Sequence, residues 1–365
     1  MQDTLKFLST KHLISLFPIL VLAVALFSSE MGVVLMIAAA AALGYAISSA
    51  VHSAEEISKR TGPSLGAIIL ALAVTIIEVG LIVSMMATLP SDEGAVIARD
   101  TVFSTIMIVT NGILGICLII GGSRHKELGF EPQGTSSLIG LLCVLSALTL
   151  VIPNFTISME GPYYTEKQLI FISLISLIAY GFLIWAQTVT HKHYFQVVSA
   201  EEFKNLEKEN YVPTKAETLV AFVKMTINLI AVIGLAKALS PKISELLQFV
   251  GAPDAALGII IALLVLAPET LAAVNAAKKN QLQTSLNLAL GSGAASIALT
   301  IPVVSAYTIW ADKKLVLGLD QKNSAFLIFT FICSCLTFSR SKSTALHGVI
   351  HLLLLVSFVA LAFMP

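Results

Sequence analysis

Charge is scarce in this chain. Asp, Glu, Lys and Arg make up 12% of its 365 residues, against about 25% in a soluble domain. That excludes a conventional solvated surface over most of the molecule. The 22 basic and 22 acidic residues cancel, so nothing marks a nucleic-acid partner. Cysteine is sparse too. Cys117, Cys143, Cys333 and Cys335 all lie in apolar runs, a setting that fits neither a disulfide framework nor a zinc site. There is no nucleotide-binding motif, which argues against ATP drive. A His-Glu-x-x-His motif, a paired-aspartate site and a basic headgroup cluster are all missing. Those gaps argue against an intramembrane protease or lipid transferase, so no enzyme and no cofactor is expected.

What the chain has instead is apolar length. Hydrophobic residues account for 56% of it, and the mean hydropathy is +0.89. A bilayer absorbs that much apolar surface where a soluble core cannot. About 20 mostly apolar residues cross the hydrocarbon core. On that measure the runs predict eleven spans, over 13–28, 32–52, 64–87, 102–121, 136–153, 168–188, 218–240, 254–277, 283–311, 324–339 and 344–364. The first run has no convincing small-residue cleavage site and is read as a retained helix. The expected fold class is therefore an all-α integral membrane protein with about eleven transmembrane helices.

Eleven spans put the termini on opposite sides. Fourteen Lys and Arg residues fall on the N-terminal side and seven on the other, with Lys224 inside a span. The positive-inside rule then places the N-terminus in the cytoplasm and the C-terminus in the periplasm or outside. A bacterial inner membrane is the expected location. The one long polar connection, 191–216, becomes cytoplasmic. Its mixed charges, Glu201, Glu202, Lys204, Glu207, Lys208 and Glu209, read as a solvated amphipathic linker helix.

The chain also repeats itself. Shifted by 191 residues, Ile68–Glu78 lies over Ile259–Glu269 with six of eleven positions identical and no gap. The single glutamate of each segment is among the matches. A basic residue or pair and then a polar-speckled helix follow each, from Arg99-Asp100-Thr101 and from Lys278-Lys279-Asn280. The expected organisation is an N-terminal helix in 1–30, a five-helix repeat in 31–190, the linker in 191–216 and a second five-helix repeat in 217–365. An odd number of helices per repeat inverts the second half. Inverted repeats are the architecture of many secondary transporters, with the ion site at the midplane.

Glu78 and Glu269 lie about fourteen and fifteen residues into their spans. Every other Asp and Glu can be placed in a loop or at a span edge. A carboxylate at bilayer depth costs a few kcal/mol, so two in matching places call for an offsetting role. Brought to about 4 Å, two such charges repel by roughly 4 kcal/mol at an effective dielectric of 20. Protons or a cation can neutralise such a pair, and the two compete. Competition combined with alternating exposure is the basis of cation/proton exchange. Two carboxylates suit a divalent ion by charge, and calcium wants six to eight oxygens. Pro268 leaves the Leu264 carbonyl without its helical donor. Thr75 lies one turn before Glu78, and Ser104, Thr105, Thr110 and Asn111 follow in one half. Thr270, Thr284, Ser285, Asn287, Ser292 and Ser296 follow in the other. His347 and His351 are four apart and could face one metal. With no carboxylate beside them, a packing or proton-relay role is preferred.

Four stretches carry a family resemblance: Leu72-Ala-Val-Thr-Ile-Ile-Glu78, the run from Arg99 to Asn111, Ala267-Pro268-Glu269, and the run from Asn287 to Ser292. The chain resembles the cation/proton exchangers of the calcium/cation antiporter superfamily over nearly its whole length. The resemblance implies two inverted five-helix halves with one essential glutamate in each, at Glu78 and Glu269. Thr110-Asn111 resembles the family's Ser-Asn pair, and Ala289-Leu290-Gly291-Ser292 its Ala-Leu-Gly-Ser run. Many members carry Gly-Asn where this chain has Val74-Thr75 and Val265-Leu266, which removes side-chain oxygens here. The expectation is a secondary antiporter exporting calcium against protons, with sodium or potassium as the alternative ion. The residues expected to bind cation and proton are Glu78, Glu269, Asn111, Ser292, Thr75 and Ser104.

Overall fold

A computed structural model describes residues 17–27, 32–61, 63–195, 213–249, 251–253 and 255–364. Eleven helices run through the described residues. They are α1 (Phe17–Phe27), α2 (Val33–Thr61), α3 (Pro63–Thr88), α4 (Ser91–His125), α5 (Pro132–Phe155) and α6 (Glu166–Thr190). After the linker come α7 (Lys215–Phe249), α8 (Ala255–Lys278), α9 (Leu282–Trp310), α10 (Gln321–Phe338) and α11 (Ala345–Phe363). The only strands among these residues are a two-residue pair, β1 (Leu128–Gly129) and β2 (Lys342–Ser343), which meet antiparallel. Eight of the helices are long and apolar enough to cross a membrane. The protein is an all-α integral membrane protein. Its apolar belt is plain on α6, where Ile170, Phe171, Leu174, Ile178 and Phe182 are exposed at helical spacing.

Each expected span has its helix, and the differences lie at the ends. Three helices overrun their apolar runs the most. The second continues to Thr61 through Ala-Glu-Glu-Ile, good helix formers that need no bilayer. The fourth starts at Ser91 rather than near residue 102, with Asp92 and Glu93 in its first turn, where acids favour the helix dipole. The seventh starts behind a reciprocal cap. The Thr214 amide donates to Glu217 Oε2 at 2.7 Å, and the Glu217 amide donates to Thr214 Oγ1 at 3.3 Å. It then runs on through Pro241 to Phe249. At 1.5 Å per residue the 35-residue helices α4 and α7 are about 52 Å long and outreach a hydrocarbon core of about 30 Å. Most of the linker, 196–212, lies outside the described residues, and so does the helix expected there.

The helices group into two compact units. One holds α1, α2, α3 and α7, and the other holds α4 to α6 and α8 to α11. The grouping cuts across the two sequence halves, because α7 from the second half joins helices of the first. Polar contacts tie the first unit together. Asn228 Nδ2 on α7 donates to Ser49 Oγ on α2 at 3.1 Å. Thr88 Oγ1 on α3 donates to Ser240 Oγ on α7 at 3.3 Å.

Candidate ion-binding site

Glu78 and Thr75 belong to the first unit. Both are buried on α3, with 3% and 4% of their surface exposed. One turn on, α3 meets α7 closely. A Cβ at Gly80 would lie 2.8 Å from Ile233 Cγ1, and Ser84 Oγ donates to the Ile233 carbonyl at 3.4 Å.

Glu269, Ser104, Asn111 and Ser292 belong to the second unit, and helix register brings three of their helices into step. At one end of α8 a Cβ on Gly258 would lie 2.7 Å from the Asp100 carbonyl carbon of α4. Near the other end a Cβ on Gly121 of α4 would lie 3.2 Å from the Ala277 oxygen of α8. His125 Nε2 reaches the Lys278 carbonyl at 3.2 Å. The two helices therefore run parallel. Glu269 is eleven residues past Gly258, and Asn111 is eleven residues past Asp100. The glutamate and the asparagine thus sit at one level of neighbouring helices. Helix α9 turns back tightly from α8 at Asn280, whose φ of 62° is one that asparagine tolerates. Ser285 Oγ on α9 donates to the Ala273 carbonyl on α8 at 2.7 Å. Counting back along this antiparallel pair brings Ser292 within a turn of the same level. A Cβ on Gly293 would meet Val109 Cγ1 of α4 at 3.4 Å, which closes the triangle of α4, α8 and α9.

These side chains differ in their burial, and Ser104 lies about two turns before Asn111 on α4, off the common level. Glu269 is 6% exposed and Ser104 is 1% exposed. Ser292 is half-buried. Asn111 is wholly buried, and both ends of its amide are engaged. Its Nδ2 donates to Thr330 Oγ1 of α10 at 2.8 Å, and its Oδ1 lies 3.0 Å from His351 Nδ1 of α11. Thr110 Oγ1 donates to the Ile106 carbonyl at 2.6 Å, and Thr270 Oγ1 to the Leu266 carbonyl at 2.7 Å, so these hydroxyls serve their own helices. Helix α8 passes through Pro268 unbroken. The ring removes the amide that would otherwise donate to the Leu264 carbonyl.

The two histidines of α11 do not share a ligand. His347 Nδ1 accepts from the Thr344 amide at 3.2 Å, capping the helix, while His351 faces Asn111. No group of three or more His, Cys, Asp or Glu side chains capable of holding a metal occurs among the described residues. One residue was missed in the sequence. Asp100 is a third buried acid, 6% exposed, with the Arg99 guanidinium Nε donating to its Oδ1 at 2.7 Å. The signal was the acidic pair Asp92-Glu93, a helix-start mark that moves Asp100 from a span edge into α4.

Comparison with known proteins follows the same lines. Residues 31–189 and 220–364 match the sequence profile of the sodium/calcium exchanger protein family. The chain is 39% identical over 336 residues to a putative ionic transporter, y4hA, of Sinorhizobium fredii, covering 92% of this chain and 90% of that protein. It is 31% identical over 353 residues to the sodium-potassium/proton antiporter ChaA of Escherichia coli, covering 95% of each. Its fold is similar to that of the H+/Ca2+ exchanger CAX, with a TM-score of 0.70 at 17% identity, over 95% of this chain and 86% of that one.

Proposed function

Because the chain belongs to the sodium/calcium exchanger protein family, a family of ion exchangers, we propose that it is a cation/proton antiporter working by alternating access. Glu78 and Glu269 carry the cation and the protons in turn. The observation that supports this most is the common level of Glu269, Asn111 and Ser292, set by the close contacts of α8 with α4 and α9. A buried carboxylate beside an amide oxygen, a serine and the carbonyl released at Leu264 is a donor set for a hard cation. A proton satisfies the same carboxylate when the cation leaves, which couples the two fluxes. Ser104 and Thr75, both in the first half, add hydroxyls. The halves 31–190 and 217–365 act as inverted repeats around this chemistry. The protein lies in a bacterial inner membrane with its N-terminus in the cytoplasm.

Calcium is the first reading of the cation, since two carboxylates match a divalent charge. A second reading, sodium or potassium, has its own support. Val74-Thr75 and Val265-Leu266 offer few side-chain oxygens for a shell of six to eight. The 31%-identical relative is described as a sodium-potassium/proton antiporter. Everted vesicles energised to an acid interior separate the two readings. Proton release on micromolar calcium, lost in Glu78→Gln, supports the first. Release only on millimolar sodium or potassium supports the second. Exchange that survives the double variant Glu78→Gln, Glu269→Gln rules out the glutamate mechanism.

A further inference from the structure

We infer that His351 is a positioning residue for ion binding, acting through Asn111; the inference rests on the site proposed above. It starts from a defect in α4. Residues Ile108–Ile113 form a π turn. There the Leu114 amide donates to the Val109 carbonyl, five residues back. The ordinary helical acceptor for Leu114 would be the Thr110 carbonyl. A π turn passes over one carbonyl in this way, and such turns frequently sit at functional positions. The passed-over carbonyl belongs to Thr110, next to Asn111, whose side chain meets His351.

Helix α11 reaches this point because glycines let it. A Cβ at Gly348 would lie 2.6 Å from the Gly115 oxygen of α4, and one at Gly115 would lie 3.1 Å from the Gly348 oxygen. The backbones are in contact one turn from His351, which is wholly buried.

The hydrogen bonds around the ring have a direction, and a sulfur atom sets it. Thr330 Oγ1 lies 3.4 Å from Met107 Sδ, and Asn111 Nδ2 lies 3.7 Å from the same atom. A thioether only accepts. Thr330 therefore donates to Met107 and accepts from Asn111 Nδ2 at 2.8 Å. That leaves Asn111 Oδ1 facing His351 Nδ1 at 3.0 Å, so Nδ1 must carry the ring proton. Nε2 is then the acceptor for Thr337 Oγ1 at 3.1 Å. One chain of donors results: Thr337 to His351 to Asn111 to Thr330 to Met107. It needs a ring that keeps its proton on Nδ1. Reversing the amide would force the ring proton to Nε2 and turn the Thr330 hydroxyl away from Met107, so the ring, the threonine and the sulfur together hold the carboxamide in one of two orientations. Oδ1 keeps a second lone pair for a cation. A reversed amide would offer the cation an NH2 group.

The test uses three substitutions in the full-length protein in everted vesicles, with calcium, sodium and potassium as probes. The readouts are the half-saturating cation concentration and the maximal rate of proton release. His351→Asn keeps an amide donor near the Nδ1 position. His351→Gln places its amide near Nε2 and cannot serve Asn111, and His351→Leu serves neither. For the transported cation, Leu and Gln are expected to raise half-saturation about tenfold, the loss of one buried hydrogen bond, with maximal rate within about threefold. Asn should restore half-saturation to near the wild-type value. If Leu and Gln leave half-saturation unchanged, the inference fails. It also fails if Asn and Gln are equally impaired, because the ring would then matter only for packing. The Asn and Gln pair decides the matter even if the Leu variant does not accumulate. Glu269→Gln in the same vesicles separates the two levels. Exchange that survives it brings down the ion site, whereas flat His351 responses with exchange lost in Glu269→Gln bring down the positioning role alone.

Discussion

Helices α4 and α9 occupy matching places after the two glutamate helices, starting at Ser91 and Leu282, yet they are built differently. A π turn interrupts α4 at Ile108–Ile113, and Asn111 joins it to α10 and α11 through buried hydrogen bonds. By contrast α9 is continuous from Leu282 to Trp310, even through Pro302. It offers small residues, Gly291-Ser292-Gly293, where α4 offers Thr110-Asn111. The difference shows two ways of making room for polar chemistry in a membrane. One inserts a residue and binds the displaced backbone and side chains in a satisfied network. The other removes side-chain volume and lets neighbours approach.

The sharpest way to break this comparison is at the carboxylates themselves. Glu78→Gln and Glu269→Gln should each reduce exchange to background in vesicles while the protein still accumulates in the membrane. Loss in only one of them would show that a single half carries the ion, and the pairing of the halves would fail. A smaller effect should separate the two polar stretches. Asn111→Ala strands buried partners at His351 and Thr330, and each such group costs about 1–3 kcal/mol. Ser292→Ala, at a half-buried position, should stay within about 0.5 kcal/mol. Thermal midpoints in detergent read both, and equal shifts would erase the contrast between network and small-residue packing.

Glycine substitutions sharpen the same contrast with opposite signs. Gly348→Val drives a side chain into the Gly115 carbonyl at 2.6 Å, an overpacking that costs about 1–3 kcal/mol. Gly291→Ala meets nothing within 4 Å and replaces a poor helix former, which should add up to about 1 kcal/mol. A lower midpoint for Gly291→Ala would mean that α9 needs that space for an occupant.

The smallest effect lies outside the bilayer, where β1 meets β2. Lys342 Nζ donates to Glu127 Oε2 at 2.7 Å. The ammonium holds the Glu127 carboxyl below its usual range, and the carboxylate holds the Lys342 ammonium above its own. The pair therefore contributes at neutral pH. Its contribution fades as pH falls through the lowered carboxyl value, or rises through the raised ammonium value. Both side chains are exposed, so salt screens the pair. Lys342→Ala should lower the midpoint slightly at neutral pH and low salt, and not at all in acid or high salt. A shift that persists in high salt would mean that the side chain's packing matters more than its charge.

Much of the fold was legible in the sequence because the bilayer imposes length and hydropathy on each span separately. Each of the eleven apolar runs has its helix, and the runs needed no knowledge of their neighbours. The ends were not legible in the same way. Asp92 and Glu93 start α4 by favouring its dipole, and the Thr214–Glu217 cap starts α7, both beyond the apolar runs. Glu78 and Glu269 stood out as carboxylates deep in apolar segments.

Sequence by itself determined the eleven apolar spans, the matching glutamates and the small-residue stretches, since each is set by local composition and spacing. Tertiary structure alone decided which of the polar side chains share a level. The register of α8 on α4 comes from two glycine contacts, Gly258 on Asp100 and Gly121 on Ala277, far apart in the chain. Asn111 finds His351 only because α11 closes on α4 at Gly115 and Gly348. Hydrogen bonds between residues 240 positions apart are fixed by packing, and packing depends on every helix at once.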